Sequence, residues 1–258
     1  MKIQDYNRFF AFGDSFTNYY WPTWADILGR EAREYYNYGN VGIGNNLIFH
    51  RFIETLIKHK FNKDDLIIIY WTTHWREDRY IDRWHCLKTE KTAFGIHDQA
   101  FEKKIAEPFF KNFVSERGRL LSDFTQITAV KQILDSIGCR YEFLSMAPFD
   151  GDKELTNFFS ETMSKFKPDC LTSIYNGKWD VEAVCTWKKW VWDDYHPSVI
   201  KHLEYLKLCF PELILSKETL EFVDEWQNIT HGKMPYHTET WPSVFKPDIF
   251  GDDIFAAK

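Results

Sequence analysis

Two short segments of this chain carry the side chains for nucleophilic chemistry: Phe12-Gly13-Asp14-Ser15-Phe16-Thr17 near the start, and Asp193-Asp194-Tyr195-His196-Pro197 far downstream. The first follows an apolar run, Phe9-Phe10-Ala11-Phe12, that reads as a strand. A serine on a turn just after a strand sits at the rim of a sheet, where its hydroxyl can meet a substrate. Alone it is a weak nucleophile and needs an adjacent base. His196 offers one, and an Asp three residues before a His on a tight turn can orient the imidazole. The spacing predicts a triad in the chain order Ser15, Asp193, His196. Asp194 competes with Asp193, but a neighbour two residues back on a turn is expected to face away. His196 would take the Ser15 proton and return it to a leaving alcohol. Structural roles compete for the same residues: Ser15 as a helix cap or turn closer, His196 as a half-buried residue at the entrance of a helix. For Asp14, accepting backbone hydrogen bonds beside Ser15 is the favoured role.

The elements needed to bring these segments together can be read from periodicity. Residues 8–12, 33–38, 65–70 and 140–145 read as strands, the third a continuous apolar run of the kind found at the centre of a parallel sheet. Helices are expected from Pro22-Thr23-Trp24 onward, across 44–60, across 120–137 with Gly138 as its stop, from Pro197 through Leu208, and across 217–226. Residues 171–175 read as a short extra strand. The stretch 75–116 breaks the alternation, being rich in charge and aromatics, and is expected to be a partly helical insertion over the sheet rim. After 226 a Pro- and aromatic-bearing extended segment follows. Strands alternating with helices predict an α/β fold, a doubly wound, mostly parallel sheet with helices on both faces. Ser15, Gly42 and Thr73/His74 each follow an expected strand on the edge where such folds gather their sites.

Composition narrows the function classes. The 258 residues carry a net charge of −6, without the basic footprint of a nucleic-acid binder. No apolar run reaches the roughly 18 residues of a membrane span. Residues 1–8 lack the apolar core of a signal peptide. Cysteines 86, 139, 170, 185 and 209 are odd in number and show no CxxC spacing, so they read as reduced thiols. Together these features lead to an expectation of a cytoplasmic protein. Asn228-Ile229-Thr230 matches a glycosylation sequon, read as chance. A metal site built from His74, His85 and His97 fits no zinc spacing, and no cofactor is expected.

FGDSFT resembles the first sequence block of the SGNH hydrolases, also called the GDSL lipase/esterase superfamily, and DDYHP resembles their last block, an Asp-x-x-His near the C-terminal end. Asn37-Tyr38-Gly39-Asn40-Val41-Gly42 resembles the second block, with Gly42 as the oxyanion-hole glycine. The resemblance covers roughly residues 5–212. It implies a three-layer α/β/α sandwich of SGNH, flavodoxin-like type over 1–212, with the insertion at 75–116 and an extension at 213–258 packed on the same domain. The third block, usually Gly-x-Asn-Asp with the Asn as an oxyanion donor, departs here. After the strand stands Trp71-Thr72-Thr73-His74, and Thr73 falls where the Asn belongs. A Thr hydroxyl is a shorter, rotating donor. His74 and Asn45 are alternatives, although helix capping is the favoured role for Asn45. Removing one such donor can cost roughly 10²–10³ in rate.

The oxyanion site expected from the resemblance is the backbone N–H of Ser15 and of Gly42, plus Thr73 or its substitutes. A dinucleotide loop is the rival reading of Gly39-Asn40-Val41-Gly42-Ile43-Gly44, but the glycines are out of order and follow the second strand. Trp71, Trp75, Arg76 and Trp84 are candidates for lining a substrate cleft, since Trp faces stack on sugar rings and Arg pairs with carboxylate or sulfate; core packing is the equal alternative for the Trp. The expected activity is hydrolysis of small acyl esters, including O-acetyl groups on carbohydrate, through an acyl-serine intermediate. Transfer of the acyl group to a glycan by the same triad is the first alternative. A catalytically weak glycan-binding protein on the same fold is the second.

Overall fold

The computed structural model describes residues 1–19, 21–80, 84–88, 107–175, 183–187, 190–230 and 234–235. In chain order, β1 (Arg8–Phe12), α1 (Trp24–Gly29), β2 (Glu34–Asn37), α2 (Asn45–His59) and β3 (Asp65–Trp71) alternate. A hairpin follows, β4 (Arg76–Tyr80) antiparallel to β5 (Trp84–Lys88), then α3 (Glu107–Phe113), α4 (Glu116–Ile137) and β6 (Arg140–Ser145). The remainder is α5 (Lys153–Phe158), α6 (Ser160–Met163), a 3-10 turn over Leu171–Tyr175, and the antiparallel pair β7 (Ala183–Trp187) and β8 (Trp190–Asp194). Then come α7 (Val199–Cys209), α8 (Lys217–Thr230) and β9 (Met234–Pro235), which lies parallel to β7.

The central sheet has the order β2-β1-β3-β6, with each neighbouring pair parallel. Its strands are buried on both faces, and the period of two assigns each residue a side. Phe9, Ala11, Leu66, Ile68 and Tyr70 pack with Trp24, Ile27 and Leu28 of α1, with Leu203 and Leu206 of α7, and with Val223 and Trp226 of α8. Phe10, Phe12, Ile67, Ile69 and Trp71 face the other way, onto Ile48 and Phe52 of α2 and Phe124, Ile127 and Val130 of α4. The fold is therefore a three-layer α/β/α sandwich. Aromatic pairs stack across β1 and β2: Phe9 on Tyr35 at 5.3 Å, Phe10 on Tyr36 at 4.8 Å and Phe12 on Tyr38 at 5.4 Å between centroids. Such pairs add about 0.5–1.5 kcal/mol beyond their burial and fix β2 at the sheet edge.

Chain order along the sheet reverses between β1 and β3, because β2 lies outside β1 and the chain then crosses to β3. A crevice opens outside the carboxyl ends of the strands at such a point. The turns after β1, β2 and β3 meet there.

Several expectations need correction. Residues 171–175 form a 3-10 turn and no strand. Asp193 and Asp194 end strand β8, where a tight turn was expected. Within 75–116 the described part is the β4–β5 hairpin and α3; 81–83 and 89–106 lie outside the described residues. The segment expected to be extended after 226 begins instead as the last turn of α8, and 236–258 lies outside the described residues. No helix among the described residues is long and apolar enough to cross a membrane.

Candidate active site

Ser15 stands on the turn after β1. Its shape comes from Asp14, whose buried Oδ1 accepts the Phe16 N–H at 2.9 Å, and whose carbonyl accepts the Thr17 N–H at 2.9 Å. Gly13 has no room for a side chain: a Cβ there would lie 2.1 Å from Thr17 Oγ1 and 3.0 Å from Tyr70 Cβ. The second carboxylate oxygen of Asp14 accepts from Thr72 Oγ1 at 2.9 Å and from Arg76 Nη1 at 2.6 Å. The same Arg76 nitrogen donates to the Ile43 carbonyl at 3.1 Å, so one guanidinium ties the serine turn to the Gly42 turn.

The downstream segment arrives from β8. His196 Nε2 lies 2.9 Å from Ser15 Oγ, and its Nδ1 lies 2.8 Å from Asp194 Oδ1. The carboxylate on the imidazole is thus Asp194, one residue later than the expected Asp193. Its Oδ1 also accepts the His196 backbone N–H at 2.9 Å, a two-residue Asx turn that brings an i−2 carboxylate directly onto the ring. Asp193 is described only through its backbone, as the β8 residue opposite Val184. The Trp21 indole N–H donates to the Pro197 carbonyl at 2.7 Å, pinning the histidine loop to the chain after Ser15.

Sequence reasoning missed Tyr19. Its ring stacks on the His196 imidazole with centroids 3.7 Å apart and planes 18° apart, and its hydroxyl donates to Asp194 Oδ2 at 2.5 Å. Nothing in its neighbourhood marks it, because the contact joins residues 175 positions apart. Burial pushes the Asp194 carboxyl up, but the His196 hydrogen bond and charge, with the Tyr19 hydroxyl, outweigh it and hold it below the ordinary value. Asp194 is therefore ionised at neutral pH. His202 on α7 is driven down to about 3 by burial and by the nearby His196, so it stays neutral. The buried thiols of Cys139 and Cys209 are no rival nucleophiles: desolvation raises Cys139 to about 11 and Cys209 to about 12.

Around the anticipated oxyanion position the outcome is mixed. The backbone N–H groups of Ser15 and Gly42 donate no hydrogen bond to any described residue. Gly42 has φ +80°, with nothing within 4 Å of where a Cβ would stand. Thr73 is half-buried, and its carbonyl accepts the Arg76 N–H at 3.4 Å. Asn45 is not the helix cap, and its amide is engaged within the fold. The cap is Gly44, and the Asn45 amide is spent on holding β3: Oδ1 accepts the Thr72 N–H at 2.9 Å, while Nδ2 donates to the Thr72 carbonyl at 3.1 Å and to Asp123 Oδ2 at 2.7 Å. His74 Nε2 lies 3.5 Å from Glu116 Oε1, and burial pushes the imidazole below its ordinary value.

The expected substrate-cleft residues fare less well. Trp71 is fully buried and meets Phe143 edge-on at 5.9 Å, so it belongs to the core. The Nη1 of Arg76 is committed to Asp14 and Ile43. Trp75 is half-buried and rests against His74 at 4.5 Å between centroids. The side chains of Trp84 and His85, and all of His97, lie outside the described residues. Among the described residues no cluster of His, Cys, Asp or Glu could hold a metal ion.

No protein-family model matches this chain, and no curated protein matches it. Among solved structures, one described as a "putative lipolytic protein of G-D-S-L family" from Desulfitobacterium hafniense is similar at 16% identity. The match covers 84% of this chain and 99% of that one, with a TM-score of 0.39.

Proposed function

We propose that the protein is a serine esterase of SGNH type that hydrolyses small acyl esters through an acyl-serine intermediate. The observation that carries this reading is the 2.9 Å contact between Ser15 Oγ and His196 Nε2, with Asp194 on the other ring nitrogen at 2.8 Å. Asp194 keeps the proton on Nδ1, which leaves Nε2 free to take the Ser15 proton as Oγ attacks the acyl carbon. The carbonyl oxygen gains charge, and the N–H groups of Ser15 and Gly42 are the donors proposed to meet it, joined by the Thr73 hydroxyl. The imidazolium returns its proton to the leaving alcohol. Water, deprotonated by the same His196, then releases the acid and frees the serine. No step calls for a cofactor.

A small acyl group fits this reading, because Trp71 and Arg76, two of the residues on which sugar recognition was expected to rest, are engaged within the protein itself. Turnover of p-nitrophenyl acetate tests the proposal. The wild-type protein should hydrolyse it and be labelled stoichiometrically by a fluorophosphonate, whereas Ser15→Ala should do neither while keeping its melting temperature. Equal turnover by the two proteins would overturn it. Free acetate as the sole product in the presence of a glycan acceptor would separate hydrolysis from transfer.

A further inference from the structure

Resting on the esterase reading, we infer that Tyr19 is a positioning residue for the His196–Asp194 pair, acting through its ring on the imidazole and through its hydroxyl on the carboxylate. The need for it follows from the spacing. An aspartate two residues before its histidine sits in a short turn, and a single oxygen, Oδ1, serves both the His196 N–H and Nδ1. Rotation of the carboxylate about its last bond would break both contacts together. The Tyr19 hydroxyl on Oδ2, at 2.5 Å, fixes that rotation from the far side. The imidazole is held in the same way: the Tyr19 ring lies flat on it at 3.7 Å, and the Phe16 ring approaches at 5.0 Å with a 49° tilt. A ring so packed keeps Nε2 on Ser15 in place of swinging toward solvent.

The two contacts act on proton transfer in opposite senses. A π face against the imidazole stabilises the imidazolium formed when the Ser15 proton arrives. A hydroxyl donating to Asp194 draws charge from the carboxylate and weakens its hold on that imidazolium. The other groups that face His196 include Ser15, Asp194 itself and, from α7, the neutral His202. Of these, Asp194 alone loses a hydrogen bond when the Tyr19 hydroxyl is removed; Ser15 and His202 keep their identity and place.

Tyr19→Phe and Tyr19→Leu separate the contacts, since Phe keeps the ring and Leu keeps neither. With p-nitrophenyl acetate, Tyr19→Phe should lower kcat about tenfold with KM within twofold, the loss of one charge-assisted hydrogen bond, and move the acidic limb of the kcat/KM profile to higher pH. Tyr19→Leu should lower kcat further and leave that limb at lower pH than in Tyr19→Phe. The proposal is overturned if both variants keep kcat within twofold of wild type, or if both shift the limb equally while losing the same melting temperature. A readout independent of turnover is the imidazole NMR titration of His196 in the Ser15→Ala background. There Tyr19→Phe should again raise the titration midpoint, and an unmoved midpoint would also overturn the proposal. Failure of Ser15→Ala to abolish turnover would instead remove the esterase reading.

Discussion

Asp194 and Asp193 differ by one position and, on this structure, by a large factor in consequence. Asp194 is 3% exposed and meets His196 Nδ1 at 2.8 Å. Replacing it with Asn keeps the shape, but an amide that donates to Nδ1 would place the imidazole proton on Nε2, where it faces Ser15. In a serine protease the same change lowers kcat about 10⁴-fold. Asp194→Asn should therefore cost about 10³–10⁴ in kcat, whereas Asp193→Asn should stay within a few-fold; a comparable loss from Asp193→Asn would return the acid to that position. Ser15 and His196 were legible in the sequence because each sits in a motif whose local shape makes its chemistry recognisable. The acid was misassigned because an Asp-x-His Asx turn and an Asp-x-x-His turn cannot be told apart in Asp193-Asp194-Tyr195-His196 without knowing where β8 ends. Tyr19 had no local signal for this role, since His196 and Asp194 come from the far end of the chain.

At the scale of elements, helix α2 starts at the candidate site with Gly44 as its N-cap, a residue with no side chain to satisfy the first turn. The missing acceptor comes from the β4–β5 hairpin: Asp78, fully buried, receives the N–H groups of Gly44 and Leu47 at 2.9 Å. A carboxylate at a helix N-terminus is favoured by both the open N–H groups and the dipole. Asp78→Ala would leave those donors buried without partners. It should lower stability by about 2–3 kcal/mol, measured by urea unfolding. Because α2 begins three residues after Gly42, turnover should fall as well; a variant with wild-type stability would mean that the hairpin is not what caps α2. The central strands β1 and β3 were readable as continuous apolar runs, because the sheet is buried on both faces, and their helices were readable from a period of three to four residues. Neither hairpin was readable, since β4 (Arg76-Glu77-Asp78-Arg79-Tyr80) carries almost no alternation and owes its place to Asp78 on α2. The 3-10 turn over Leu171–Tyr175 was misread because a five-residue stretch is too short for its period to tell a strand from a turn.

For the whole molecule, the buried carboxyls set how stability depends on pH. Burial raises Asp123 to about 7, against the opposing hydrogen bond from Asn45, and raises Asp26 to about 6, against those from Thr23 and Tyr35. Both sit at joints of the fold: Asp123 ties α4 to Asn45 and through it to the end of β3, while Asp26 ties α1 to Tyr35 of β2. A carboxyl whose folded value lies above its unfolded value binds its proton more tightly in the folded state. Its contribution is therefore full at low pH and is lost as pH rises from about 4, the unfolded value, through about 6 to 7, the folded values. Asp194 and Glu31 are shifted the other way, and their contribution is present above the unfolded value and lost as pH falls through their lowered values. The two sets together should give a melting temperature that is highest at mildly acidic pH and declines on both sides. Asp123→Asn isolates one joint, because its amide oxygen can still accept from Asn45 Nδ2 without bearing a titrating proton. Thermal melts from about pH 4.5 to about pH 8.5 should show the variant level with wild type on the acidic side and more stable on the alkaline side, with a shallower decline between. Parallel melting curves for the two proteins across that range would show that Asp123 does not hold its proton more tightly when folded, and would leave Asp26 to account for any decline.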